Sequence, residues 1–384
     1  MENWSPYRTA IGKGQIMAEE QDGARAWPRT ASPFQKWQEA EGIPIYRGSY
    51  VEDMYTLELK PWPRLGQLGA FVMLADQEED AGLVTEIGPG GQTEPQHHLF
   101  EIVMYVLDGR GATSFWQQDD RKQTVEWEHG SLFAPPLNCY YQHFNLDGSK
   151  PVRMFSVSNA PQAINLYHDV DFIFDCPYTF RERYGGEDDY FTDPGRSMGT
   201  RNWQTNFVPD VRGFKLEEWR ERGAGTNMNF RLGKNTQMAA HISEFPPGHY
   251  KKAHRHGVGA HVVILGGNGY SLLWFEDEKE RRKVDWKDGS VLSPREAEYH
   301  QHFNTGSTHA RYLALRFGVP GVARGHSNQN PAWMTPDEID GIPYEREDPA
   351  IYDLYVAECA KHGATVNLPH PQYVAASFSA ALGL

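Results

Sequence analysis

"TEIGPGGQTEPQHHLFEIVMYVLDGRGATSFW" runs from Thr85 to Trp116, and "SEFPPGHYKKAHRHGVGAHVVILGGNGYSLLW" runs from Ser243 to Trp274. At a constant shift of 158 residues they match Glu86 to Glu244, Gly90 to Gly248, His98 to His256, Gly109 to Gly267, Gly111 to Gly269 and Trp116 to Trp274. Further on, "GSLFAPPLNCYYQHFN" (Gly130–Asn145) matches "GSVLSPREAEYHQHFN" (Gly289–Asn304) at a shift of 159. So many ordered agreements mean a duplicated structural unit.

Each unit reads as β. "IVMYVLDGRG" and "VVILGGNG" are short β-branched runs closed by glycine, and "GATSFWQQ" and "GYSLLWFE" alternate behind them. Charged turns follow, "DDRKQ" and "EDEKERRK". Short strands at close spacing predict one small barrel of about eight strands per unit. The expected division is an arm over 1–60, a first barrel over 61–165, a connector over 166–228, a second barrel over 229–322 and a tail over 323–384. Helical promise lies at "KLEEWRERGAG" in the connector. The tail predicts one helix at "DPAIYDLYVAECAKHG", with Asp348 as cap, Pro349 in the first turn and Gly363 past the end.

Composition narrows the function classes. The 384 residues carry a net charge of −14 and show no long basic stripe, which argues against nucleic acid as a partner. The three cysteines, Cys139, Cys176 and Cys359, are too scattered for a disulfide framework or a metal knuckle. No apolar run reaches membrane-spanning length, and the first residues do not read as a signal peptide. A cytoplasmic protein is expected.

The motifs resemble those of the cupin superfamily, and the duplication is that of a bicupin. Gly248, His254, His256 and Gly267 fit the first cupin motif; Gly289, His300 and Asn304 fit the second. Pro294 sits one place early and Ala297 stands where glycine is usual. The resemblance implies an all-β fold of two tandem jelly-roll barrels (double-stranded β-helices). The usual glutamate of the first motif is missing, since Ala260 holds its place and His261 follows. That departure resembles the gentisate 1,2-dioxygenase group, which implies an Fe(II) site held by histidines. Bicupin oxalate decarboxylases keep the glutamate and usually a metal in both barrels, so the sequence departs from them.

Side chains two apart on a strand share a face, so His254 and His256 both enter the barrel, and His300 joins them from another strand. Three neutral imidazoles can cap a metal ion and leave positions open. Parity turns His261 away, and only a one-residue bulge would make it a fourth ligand. His302 and Asn304 share the face of His300. Glu298 is a further inward carboxylate candidate. Arg311 and Arg316 are candidates for pairing with a substrate carboxylate. In the first barrel the matching positions are Gln96, His98, Ile102 and Tyr141, a poor set for a divalent ion. That barrel reads as structural or as part of a dimer surface, with a remnant small-molecule pocket as the other reading.

An all-histidine site keeps the full charge on the ion. The expected function is therefore an Fe(II)-dependent dioxygenase using O2 to cleave a C–C bond in an anionic, chelating substrate, a hydroxylated aromatic acid or a diketone. The alternatives are a non-oxidative metallo-cupin using Zn, Mn or Ni (an isomerase, lyase or hydrolase) and a non-enzymatic binding bicupin. The arm and tail exceed what two barrels need, so a homodimer or homotetramer is expected.

Overall fold

The computed structural model describes the strand Tyr7–Thr9 and residues 30–76, 78–118, 121–220, 222–257, 260–276, 278–318 and 341–373. Most of the arm before residue 30 and the tail stretches 319–340 and 374–384 lie outside these residues.

Within them the chain is all-β, with two tandem jelly-roll barrels. In the first, strands β1 (Gln67–Leu74), β2 (Ala81–Ile87), β3 (Ile102–Asp108), β4 (Arg110–Trp116), β5 (Gln123–Glu128), β6 (Leu132–Phe133), β7 (Tyr140–Asn145) and β8 (Val152–Ser158) form a large sheet in the order β6-β3-β8-β2-β1 and a small one, β7-β4-β5. The second repeats this with β9 (Thr226–Leu232), β10 (Met238–Phe245), β11 (Ala253–His254), β12 (Ala260–Gly266), β13 (Gly269–Trp274), β14 (Arg281–Trp286), β15 (Val291–Leu292), β16 (Tyr299–Asn304) and β17 (Ala310–Phe317). Its sheets run β15-β12-β17-β10-β9 and β14-β13-β16-β11.

The strands of the large sheets are apolar on both faces, and the alternation says why. Val103, Tyr105 and Leu107 of β3 share one core with Val263 and Leu265 of β12 and with Leu313 and Leu315 of β17. The neighbours on the opposite face, Ile102, Met104 and Val106, fill the first barrel, while Val262, Ile264 and Ala314 fill the second. The large sheets therefore pack against each other in a largely apolar seam, and each barrel closes over the other face.

The barrels also exchange edge strands. Tyr50–Val51 of the arm pairs with β15 of the second barrel, and Phe207–Val208 of the connector pairs with β6 of the first. Ser290 Oγ donates to the Glu52 carbonyl at 2.6 Å, and Ser131 Oγ donates to the Pro209 carbonyl at 2.7 Å. Ile45–Gly48 lies parallel to β1 just as Asn202–Thr205 lies parallel to β9. The duplication thus extends into stretches read as arm and connector.

Two other expectations meet the structure here. "KLEEWRERGAG" is not helical: Glu217–Glu218 pairs antiparallel with Thr226–Asn227, and the Trp219 N–H donates to the Gly225 carbonyl. Gly223 and Gly225 adopt the positive φ that this tight return requires. The tail helix does form, over Pro349–Lys361, with the Asp348 carboxylate accepting from the Ala350 N–H. Ile351, Tyr355 and Cys359 pack it onto Tyr250 and Phe303 of the second barrel. No helix among the described residues is long and apolar enough to cross a membrane.

Candidate metal centre

His254 ends β11 and pairs in register with His300 of β16. His256 follows two residues on. Ring centroids are 4.1 Å apart for His254 and His300, 4.8 Å for His256 and His300, and 5.9 Å for His254 and His256. One nitrogen of each lies within 4.8 Å of the others, the one such group among the described residues.

The backbone selects which nitrogen faces inward. His254 Nδ1 lies 3.3 Å from the Lys252 carbonyl, His256 Nδ1 3.2 Å from the Gly257 carbonyl, and His300 Nδ1 3.2 Å from the Glu298 carbonyl. A carbonyl only accepts, so each Nδ1 carries the proton and each Nε2 keeps its lone pair. Burial is the leading cause that holds all three rings below their ordinary basicity, His256 at about 4. Three neutral, pre-oriented imidazoles fit a divalent transition ion.

The surroundings are cationic. Arg222 acts on all three rings and Arg316 on His256, each lowering ring basicity. Lys251 is 1% exposed, with Nζ 3.2 Å from Ser243 Oγ and over the rings of Trp219 and Phe245. Burial first, then Arg222, brings its ammonium down to about 7. His241 lies against Tyr312, which in turn faces His302.

The candidate residues separate. His254, His256 and His300 come together; His261 does not join them. The β12–β17 register is regular at His261↔Leu315, and the bulge falls later, between Ile264 and Gly266. His261 therefore enters the seam, with Nδ1 3.7 Å from Asp80 Oδ1 and its ring against Phe155. Arg311 also leaves the site. It binds Glu244 and the Phe214 carbonyl, as Arg153 binds Glu86 and the Leu57 carbonyl in the first half. This is a structural clamp made twice. Arg316, on the opposite face of β17, acts on His241 and His256.

Glu298 turns its carboxylate to Arg282 at 2.9 Å and offers the site only its carbonyl. His302 Nδ1 lies 2.7 Å from Ser271 Oγ, which also accepts from Trp286 Nε1. Thr113, His143 and Trp127 repeat that trio in the first barrel, so it belongs to the fold. Asn304 likewise organises a turn, its Nδ2 donating to the Thr308 carbonyl.

Sequence reasoning missed Lys251, Arg222, His241 and Tyr312. One signal was available: in "MAAHISEF" His241 and Ser243 alternate with Met238, Ala240 and Ile242, a polar face opposite an apolar one.

Ala297 occupies the second-motif turn at φ +60°, and its N–H donates to the His256 carbonyl. The left-handed conformation costs a residue with a Cβ about 1–2 kcal/mol. Ala297→Gly is therefore expected to raise stability by up to about 1 kcal/mol, after the entropy that glycine adds to the unfolded chain. Thermal unfolding checks this; a lowered midpoint would contradict it.

No family model matches the chain, and no curated protein matches it. Solved structures that are similar include an oxalate decarboxylase formate complex from Lactobacillus farciminis. It is 14% identical, over 72% of this chain and 87% of that one, with a TM-score of 0.49. An oxalate decarboxylase from Bacillus subtilis at pH 4.6 is also 14% identical, over 70% and 75%, with a TM-score of 0.47. A likeness this distant carries no argument about the reaction or its ligand.

Proposed function

We propose that the chain is a mononuclear metal enzyme acting on a small anionic substrate that chelates through oxygen. The observation that carries this is the set of three neutral imidazoles, Nε2 inward, with Arg222 and Arg316 acting on them and Lys251 acting on the neighbouring His241 and His302. A carboxylate ligand would cancel one unit of the ion's charge; here the site favours substrate anions.

When bound, the metal ion supplies a Lewis acid for the substrate's oxygen atoms. The remaining work falls to the chain. Arg316, whose charge acts on His256, attracts a carboxylate to the same place. Lys251, brought to about 7 by burial, holds a proton at Nζ that it can deliver near neutral pH. Trp219 and Phe245 beside it exclude water.

A poised proton donor favours non-oxidative chemistry, that of a lyase or isomerase using Mn, Zn or Ni. Oxidative C–C cleavage with Fe(II) and O2 is the second reading, supported by a histidine cluster that holds no carboxylate among the described residues. Elemental analysis of protein purified without chelators is expected to give about one metal ion per chain. Turnover of carboxylates and diketones without O2 uptake supports the first reading. Stoichiometric O2 uptake overturns it in favour of the second.

Lys251→Met is expected to lower kcat/KM about 10²–10³-fold, the usual contribution of a general acid. It should also remove the fall in activity as pH rises through about 7, where the Lys251 ammonium loses its proton. A variant with unchanged kcat and an unchanged pH profile would remove Lys251 from the mechanism.

The described parts of the arm and tail are used within the chain itself, as exchanged strands and as the helix on the second barrel. A homodimer or homotetramer is still proposed, through other surfaces, and light scattering at micromolar concentration tests it.

A further inference from the structure

The first barrel has a cavity of about 400 Å³ at the place where the second holds its histidines. Gln96 and Tyr141 bridge across the barrel as His254 and His300 do. His98 stands where His256 stands in the repeat. Its Nδ1 lies 2.9 Å from the Phe100 carbonyl and its Nε2 2.9 Å from the Tyr141 hydroxyl. Burial holds the ring at about 3, hence neutral. The carbonyl fixes the proton on Nδ1, so Tyr141 donates to Nε2, and the lone pair that a metal would need is taken. Polar atoms remain for something else. The Tyr141 hydroxyl shares its one proton between His98 Nε2 at 2.9 Å and Gln96 Oε1 at 3.2 Å, and Gln96 Nε2 is buried with no partner among the described residues. Trp37 is 9% exposed and lines the cavity, and its Nε1 has no partner among the described residues either.

The walls are aromatic. Trp37 stacks on Phe174 at 5.6 Å and meets Phe71 edge-on at 5.7 Å; Trp62 meets Phe71 at 5.6 Å. The helix Pro33–Ala40 carries Phe34 and Trp37 over the barrel, fixed by the Ser32–Gln35 capping box. Charges at the cavity are spent or outside. Arg64 is paired with Glu41 at 2.6 Å, and the Asp175 side chain is 90% exposed.

We infer that the first barrel is a metal-free binding site for an uncharged aromatic molecule bearing an oxygen acceptor, such as an aryl ketone, aldehyde or ether. The ring enters the aromatic box, and the oxygen accepts from Gln96 Nε2 and Trp37 Nε1. A volume of about 400 Å³ takes one or two rings. Among the described residues a buried charge finds no free counter-ion there, so anions and cations of the same shape are disfavoured. An unpaired buried donor is costly, so the oxygen acceptor should matter as much as the ring.

The test is calorimetric titration with acetophenone, which has a ring and one acceptor, no charge and no chelating pair. Benzoate, benzyltrimethylammonium and isopropylbenzene serve as the charged and acceptor-free comparisons. Acetophenone is expected to bind once per chain, at least about tenfold more tightly than each of the others. Gln96→Leu should lower its affinity about tenfold and leave isopropylbenzene unchanged. Leu83→Trp, which fills the cavity, should abolish binding while His300→Ala keeps it. Ala160→Met is the second filling variant should the first unfold, as read by circular dichroism. No saturable acetophenone binding, or binding lost in His300→Ala and kept in a folded filling variant, overturns the inference.

Discussion

His300→Ala is expected to purify with less than about a tenth of the parent's metal and without measurable turnover. The ring is 3% exposed and pairs across the barrel with His254, so deletion leaves two ligands, a hole and no substitute donor. His302, the next residue on that face, is held by Ser271 at 2.7 Å, with its ring centroid 5.7 Å from that of His300. It cannot take over without breaking its contact with Ser271. His256→Ala should behave alike. His261→Ala is the control, because its ring lies in the seam against Asp80 and Phe155. It should keep the metal and lose stability, a large-to-small change in a packed core. Metal-to-protein ratios by elemental analysis decide the matter. If His261→Ala loses metal as completely as His300→Ala does, the three-histidine centre is wrong.

The contrast between His261 and His256 shows what a sequence discloses. Strand parity suffices to place His254, His256 and His300 on one face and His261 on the other, because a period of two admits no drift unless a bulge intervenes. The duplication was legible because glycines, histidines and tryptophans recur at a fixed shift. The exchanged strands Tyr50–Val51 and Phe207–Val208 were not, since two residues have no period and their partners lie far along the chain. Arg311 misled for a related reason. On a strand, an arginine facing the site and an arginine clamping a loop look alike until the face is known. Its counterpart Arg153, at the same shift as the repeat, marked it as belonging to the fold. Lys251 was hidden because a lysine beside another lysine reads as solvated surface, and only the folded chain shows it 1% exposed.

Asp80→Asn is expected to stabilise the protein at pH 8, and the gain should grow with pH. Asp80 and His261 are 1% exposed each, in the seam between the barrels. Burial is the main cause lifting the Asp80 carboxyl well above its ordinary value, and burial brings His261 down to about 4. His261 is therefore neutral in the folded chain near neutrality, and the Asp80 carboxyl keeps its proton to higher pH than an ordinary carboxyl does. The linkage of Asp80 has a definite sign. A carboxyl raised on folding contributes fully below its unfolded value of about 3.9 and loses that contribution as pH rises to the folded value. His261 acts oppositely: lowered on folding, it costs stability as pH falls from about 6.5 to about 4. In the parent the two slopes oppose each other where both groups change protonation, and above about 6.5 His261 no longer contributes. Asparagine keeps the shape and removes the carboxyl. The variant should lose stability only towards acid, through His261. Its advantage over the parent should widen from about pH 4 upward by roughly 1.4 kcal/mol for each pH unit, until the folded Asp80 ionises. Denaturant unfolding of both chains at pH 4.5, 6 and 8 measures the difference directly. An advantage that shrinks as pH rises would mean that Asp80 is ionised against a protonated His261. The two barrels would then be joined by a buried ion pair, and removing one partner would strand the other's charge in the seam.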